Sequence, residues 1–226
     1  MITVHHLDNS RSQRVLWLLE ELGVPYEITL YERDPVTMLA PKELRDIHPL
    51  GKAPVVTDDG SGETIVLAES GAVLEHLAET YGDGRLMPER GTRAHRDCRY
   101  WLHYGEGSAM PPLLLKLVFT KVATDAPWIV RPIAKAISKQ VHKAFITPQL
   151  KLHMGFWEKT LGARAYFAGE AFTVADVQMV FPVEAALARG GRRDDYPKVA
   201  AWLDRVQSRP TWAKAIARGG PYAILG

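Results

Sequence analysis

The residues with the clearest chemical potential lie between positions 50 and 82. Glu69 and Ser70 open a segment in which Val73, Leu74, Leu77, Ala78 and Tyr81 recur at helical spacing before Gly82, so the pair sits at a helix N-terminus. Free amides and the positive end of the helix dipole make such a terminus a carboxylate site, with the Ser70 hydroxyl as a further donor. Glu69 could hold an ammonium group, and Lys52, one strand away, offers a second carboxylate partner. Pro54 lacks a ladder donor, so it belongs at an edge or at the first position of a strand, and an X-Pro bond is the common place for a cis peptide. A cis bond at Ala53-Pro54 would turn the Ala53 amide and carbonyl outward, where an extended peptide can pair as an added strand. The implied ligand has an amino-acid-like end, an extended peptide middle and a distal carboxylate. Each residue alone is explained as well by a helix cap, a solvated charge or an edge-strand breaker. Their order and spacing together point to a site.

These residues need a frame. Ile2 to Leu7 reads as a strand, Asp8-Asn9-Ser10 breaks it, and Val15, Leu18, Leu19 and Leu22 mark a helix face closed by Gly23, with Pro25 just beyond. Tyr26 to Tyr31 alternates as a second strand, made parallel to the first by a right-handed crossover. Residues 34 to 49 hold Pro35, Pro41 and Pro49 around a short helical piece without a clear place. Val55-Val56-Thr57 and Thr64-Ile65-Val66-Leu67 form an antiparallel hairpin across Asp58-Asp59-Gly60-Ser61-Gly62. Residues 1–82 therefore read as a β-α-β-(α)-β-β-α domain, 83–92 as a linker and 93–226 as an all-helical domain. In the last, one long segment runs from Arg93 to Lys121, kinked or broken at Met110-Pro111-Pro112, and another from Trp128 to Leu161 with Pro148 inside it. Thr173-Val174-Ala175-Asp176 has the form of a capping box, and Val199, Trp202, Leu203 and Val206 line a further helix.

The first domain, with a proline opening its third strand, has the order of the thioredoxin fold, and the chain as a whole resembles the soluble glutathione transferases. The matching residues are Asn-Ser-Arg-Ser-Gln-Arg at 9 to 14, Pro-Leu-Gly-Lys-Ala-Pro at 49 to 54, Glu69-Ser70 and Phe-Thr-Val-Ala-Asp at 172 to 176. The run from His103 to Pro112 is similar to a bacterial and fungal subgroup. The resemblance implies a thioredoxin-like domain that binds glutathione as co-substrate, followed by an all-α domain, with no metal. Glutathione would lie with its γ-glutamyl end at Glu69-Ser70, its cysteinyl backbone on Ala53 beside Pro54 and its glycyl carboxylate near Lys52. Its sulfur would then point at Ser10 and Ser12. Serine-type members place the hydroxyl four residues before an arginine of the first helix, which leads from Arg14 to Ser10. Ser12 and Asn9 stay open as alternatives, and by spacing alone both serines are explained as helix caps.

A free thiol titrates near ~8.5, and a hydrogen bond to a charged acceptor, worth roughly 1.5 to 3 kcal/mol, would lower that by about one to two units. Where the thioredoxin redox motif has C-x-x-C, this chain has Asn9-Ser10-Arg11-Ser12. Exchange chemistry by the protein's own thiols at that motif is therefore excluded, and cysteine-type members are disfavoured. The second substrate, a small electrophile, should sit beside the sulfur against the first part of the helical domain. Tyr104, Ser108 and Met110 are candidate walls, an aromatic and a flexible thioether suiting apolar electrophiles, although such aromatics serve equally as core or subunit interface. The activity implied is thiolate attack on an electrophilic carbon. Reduction of an organic hydroperoxide at the same site and a non-catalytic binding role are the alternatives, and the presence of Lys52, Glu69 and Ser70 speaks against the latter. A two-fold homodimer is expected through the helix from Ser70 and the long helix from Arg93, which carries Tyr100, Trp101 and Tyr104.

Composition sets the outer limits. The 226 residues are 46% hydrophobic and 24% charged, as in globular proteins, and the formal charge of +2 is too small to argue for nucleic acid or an anionic membrane. There is no run of eighteen apolar residues and no signal-peptide pattern, so a cytoplasmic protein is expected. The single cysteine, Cys98, rules out an internal disulfide and a Cys-based zinc site. His5 and His6 are strand neighbours facing opposite ways, so they cannot share a metal; one should face the core and the other be partly exposed. His103, His142 and His153 show no ligand spacing.

Overall fold

A computed structural model describes residues 1–60 and 62–220. Ser61 of the expected hairpin turn and residues 221–226 of the expected helical domain lie outside the described residues. The first part is β1 (Ile2–Leu7), α1 (Gln13–Leu22), β2 (Tyr26–Tyr31), α2 (Glu43–Ile47), β3 (Val55–Asp58), β4 (Ile65–Ala68) and α3 (Ser70–Tyr81). The sheet order is β2-β1-β3-β4, with β1 parallel to β2 and antiparallel to β3, and β3 antiparallel to β4. The β-α-β unit and hairpin thus stand as the residue patterns require. Gly23, in the left-handed region at φ 69°, closes α1 without a Cβ penalty.

The helical part comprises α4 (Arg93–Tyr104), α5 (Met110–Asp125), α6 (Arg131–Val141), α7 (Thr147–Ala163), α8 (Val174–Ala188), α9 (Pro197–Gln207) and α10 (Pro210–Gly219). The prolines do not break its long segments. A π-helical turn at Gly105–Ala109 precedes Pro111-Pro112, and another at His142–Ile146 precedes Pro148. Each proline therefore falls in the first turn of a new helix, where its missing N–H costs no helical bond.

Helix α8 is the buried axis of the molecule. It packs on α4, α1 and α3, and its start is held by Asp176, which accepts from the Thr173 amide at 2.9 Å, the Phe167 amide at 3.0 Å and Trp202 Nε1 at 3.0 Å. Helix α10, which the apolar pattern did not disclose, clamps α1 from the other side. Trp212 meets Trp17 edge-on at 5.0 Å, and Arg209 grips the buried Glu21 carboxylate at 2.6 and 2.7 Å. Helix α1 is therefore buried between the sheet, α8 and the last described helix, with its N-terminus aimed at the cleft.

Candidate functional site

The turn between β1 and α1, the segment leading into β3 and one residue of α8 enclose a cavity of about 460 Å³. Asn9, Ser10 and Arg11 come from the turn, Lys52 and Ala53 from the segment before the cis Ala53-Pro54 bond, and Phe181 from α8. Leu7, Leu39 and Leu50 supply apolar wall. Arg11, Arg33, Arg45 and Lys52 line it with positive charge, while its described lining holds no carboxylate. Such a lining favours an anionic ligand by long-range attraction.

Helix α1 starts at Gln13. Residues 8–12 form a turn in which Asn9 takes a left-handed conformation, φ 47°, that asparagine tolerates better than most side chains. Ser12 rather than Ser10 is the cap position, yet its hydroxyl caps nothing. It lies 2.8 Å from His6 Nδ1 and 2.6 Å from Ser10 Oγ, and Ser10 Oγ also accepts from the Ser12 amide at 3.2 Å. Ser10 reaches the cavity and Ser12, fully buried, stands behind it. The expectation of one partly exposed histidine in the pair is corrected: His5 and His6 are both buried. They do face opposite ways. His5 bonds Tyr31 and Thr57, whereas His6 Nε2 donates to the Gly219 carbonyl at 3.0 Å. Burial lowers the pKa of both rings.

Arg14, 1% exposed, ties the two parts of the molecule together. It donates to Ser70 Oγ at 3.0 Å, Glu106 Oε1 at 2.6 Å and the Gln178 carbonyl at 2.7 Å. Glu106 also pairs with Arg11 at 2.9 Å, and both guanidinium carbons lie within 6.0 Å of the Phe181 ring centre. Ser70 is buried against Arg14 and Glu69 is exposed at the α3 N-terminus; neither lines the cavity. Ser10, Lys52 and Ala53 are thus brought to one cleft, and Pro54 is buried at its edge.

The candidate walls of the helical part do not reach it. Tyr104 and Met110 belong to the core cluster, the Tyr104 hydroxyl being taken up by Trp157 Nε1 at 3.0 Å and by His153. Ser108 is exposed and is not among the cavity-lining residues. The physical reason is the π-helical turn, whose extra residue rotates the positions on either side of it relative to a regular helix and aims Glu106 at Arg11 and Arg14. Phe181 takes the place at the cleft, and no residue signal singled it out: it stands beside Pro182 in an almost wholly apolar helix. Among the described residues no cluster of three metal-ligating side chains occurs, and no helix is long and apolar enough to cross a membrane.

Residues 10–80 match the glutathione S-transferase N-terminal domain, and residues 126–218 the glutathione S-transferase C-terminal domain. Glutathione S-transferase 3 of Schizosaccharomyces pombe is 36% identical over 93% of this chain and 84% of its own. Glutathione S-transferase 1 of Saccharomyces cerevisiae is 32% identical over 94% and 93%. The crystal structure of a glutathione S-transferase from Actinobacillus pleuropneumoniae superposes with a TM-score of 0.79 at 34% identity, covering 97% of this chain and 93% of that one.

Proposed function

Because the chain belongs to the glutathione S-transferase family, we propose that it activates glutathione as a serine-type member, with Ser10 facing the thiol, for attack on a small apolar electrophile. The observation that carries this is the position of Ser10: its hydroxyl opens onto a cavity that also holds Lys52 and Ala53 and is ringed by arginines. Glutathione is an anionic peptide, so its glycyl carboxylate suits Lys52 and its cysteinyl backbone suits the Ala53 edge. The γ-glutamyl carboxylate takes the free amides at the start of α3, where Arg14 fixes the Ser70 hydroxyl. A thiolate beside Ser10 gains one hydroxyl donor and the positive field of Arg11 and the α1 terminus. Phe181 and the leucines supply apolar surface for the electrophile.

A panel of activated aryl halides, activated alkenes and organic hydroperoxides, assayed with glutathione, tests the reading. Turnover of at least one carbon electrophile that drops on Ser10→Ala, with glutathione still bound, supports it. A protein that binds no glutathione at millimolar concentration by calorimetry contradicts it.

A further inference from the structure

Ser12 and His6 do not touch the cavity, yet they form one unbroken chain of hydrogen bonds with the hydroxyl that does. Ser10 Oγ and Ser12 Oγ are 2.6 Å apart, and Ser12 Oγ and His6 Nδ1 2.8 Å. Direction along the chain is set at its inner end. His6 Nε2 faces a carbonyl, Gly219 O at 3.0 Å, which can only accept. A neutral His6 therefore carries its proton on Nε2 and accepts on Nδ1 from Ser12, whose alternative acceptor, Leu7 O, is distant at 3.5 Å. Ser12 in turn accepts from Ser10. In this state Ser10 offers the cavity a lone pair. An imidazolium reverses every bond: Nδ1 donates to Ser12, Ser12 to Ser10, and the Ser10 hydrogen turns outward. A thiol needs the first arrangement and a thiolate the second.

We propose that His6 is a positioning residue that receives, through Ser12 and Ser10, the proton glutathione gives up when its thiol ionises. The inference rests on the reading that Ser10 meets the sulfur. One proton moves in net terms. The S–H bond breaks and its electron pair stays on sulfur while that proton joins Ser10 Oγ. Ser10 passes its own proton to Ser12 Oγ, and Ser12 its own to His6 Nδ1. After attack the relay run backwards returns the proton to the leaving group or to the carbanion formed.

The surroundings of His6 suit a group that takes up a proton only when an anion appears. Burial lowers its pKa, while the Gly219 carbonyl and the Asp8 carboxylate, just beyond its own strand, raise it. Gly219 ends α10, so the negative end of that helix also faces the ring. On β2 the residue in register is Leu30, which is uncharged; Arg33, just beyond that strand, donates its backbone amide to the Asp8 carboxylate at 2.9 Å and its Nε to the Asp8 carbonyl at 3.2 Å. At the start of α1, the cap residue Ser12 bonds the ring, and the neutral Gln13 lies beside Gly219.

Nitrogen NMR of the imidazoles in the full chain tests the relay. With glutathione bound, His6 should become imidazolium in step with the thiolate absorbance. With S-methylglutathione, which has no thiol proton to give, it should stay neutral. His6→Asn leaves Ser12 a hydrogen-bonding partner that cannot take the proton, and should lower the thiolate fraction below its midpoint about tenfold, one pKa unit, with glutathione affinity retained. Ser12→Ala should do the same, and Ser12→Thr should restore the wild-type titration. If thiolate forms while His6 stays neutral, and the His6 and Ser12 variants titrate like the wild type although Ser10→Ala does not, the relay is wrong and Ser10 stands. An unshifted titration in Ser10→Ala overturns both. Should His6→Asn not fold, the wild-type spectra with the two ligands still decide.

Discussion

At the scale of single residues, activation of the thiol turns on which hydroxyl meets the sulfur. Ser10 is buried to 6% exposure but reaches the cavity, and Ser12 is shut behind it. Ser10→Ala should raise the thiol pKa of bound glutathione by about one unit or more and move the pH-rate profile upward with little change in affinity; ultraviolet titration of the complex reads this. The stability cost should be about 1 kcal/mol, since the Ser12 amide loses an acceptor while the Ser12 hydroxyl loses Ser10 but keeps His6. The Lys-Ala-Pro and Ser10 positions were legible because each residue type has a backbone or charge consequence of its own. The partner of His6 was not, because Gly219 is 213 positions away and a strand's parity says only that neighbours part company. Histidine burial has a second consequence. His5, His6 and His153 all have pKa values lowered by desolvation, so the folded state binds fewer protons than the unfolded one. Their contribution to stability is intact above about pH 6.5 and is lost as pH falls through the histidine range. Asp176, pushed up to about 6, works in the opposite direction as pH falls toward that value. The melting temperature of the unliganded protein should fall between about pH 7 and pH 5.5; a rise on acidification would contradict the burial argument.

Among the elements, those with a two-residue or 3.6-residue period could be read directly: β1, β2, the hairpin, α1, α3 and α9. The π-helical turns had no such mark, since one extra residue per turn leaves no periodic trace. Tyr104 and Met110, candidate cleft walls by side-chain type with the core as the alternative, flank the first of these turns and lie in the core. The capping box at Thr173 was legible, but its reach was not: Asp176 also ties down Phe167 and Trp202. Asp176→Ala would leave those two donors and the Thr173 amide without their acceptor in a buried site. The expected cost is about 3 to 5 kcal/mol, read as a lower denaturant midpoint. A loss under about 1 kcal/mol would show that water or a shifted backbone replaces the carboxylate.

For the whole molecule, the order of a mixed four-strand sheet followed by helices was legible from the change of period near residue 93. The way α1 is gripped between α8 and α10 was not, because it depends on contacts between distant segments. A two-fold dimer through α3 and α4 remains our proposal, on changed grounds. Trp101 and Tyr104 are spent inside the protomer and only Tyr100, 50% exposed, is left at the surface. What the outer faces of α3 and α4 offer instead is a groove of about 630 Å³ lined by Glu75, His76, Glu79, Arg90, His95 and Arg99, a mixed-charge surface suited to a partner copy. Sedimentation should give twice the protomer mass of 25.2 kDa, and a single species at protomer mass at micromolar concentration would refute it. The most direct test of the account as a whole is a crystal structure of the glutathione complex. It should show the sulfur within hydrogen-bond distance of Ser10 Oγ, the cysteinyl backbone on Ala53 and the glycyl carboxylate toward Lys52. A sulfur lodged away from Ser10, or glutathione bound outside this cleft, would contradict the central claim.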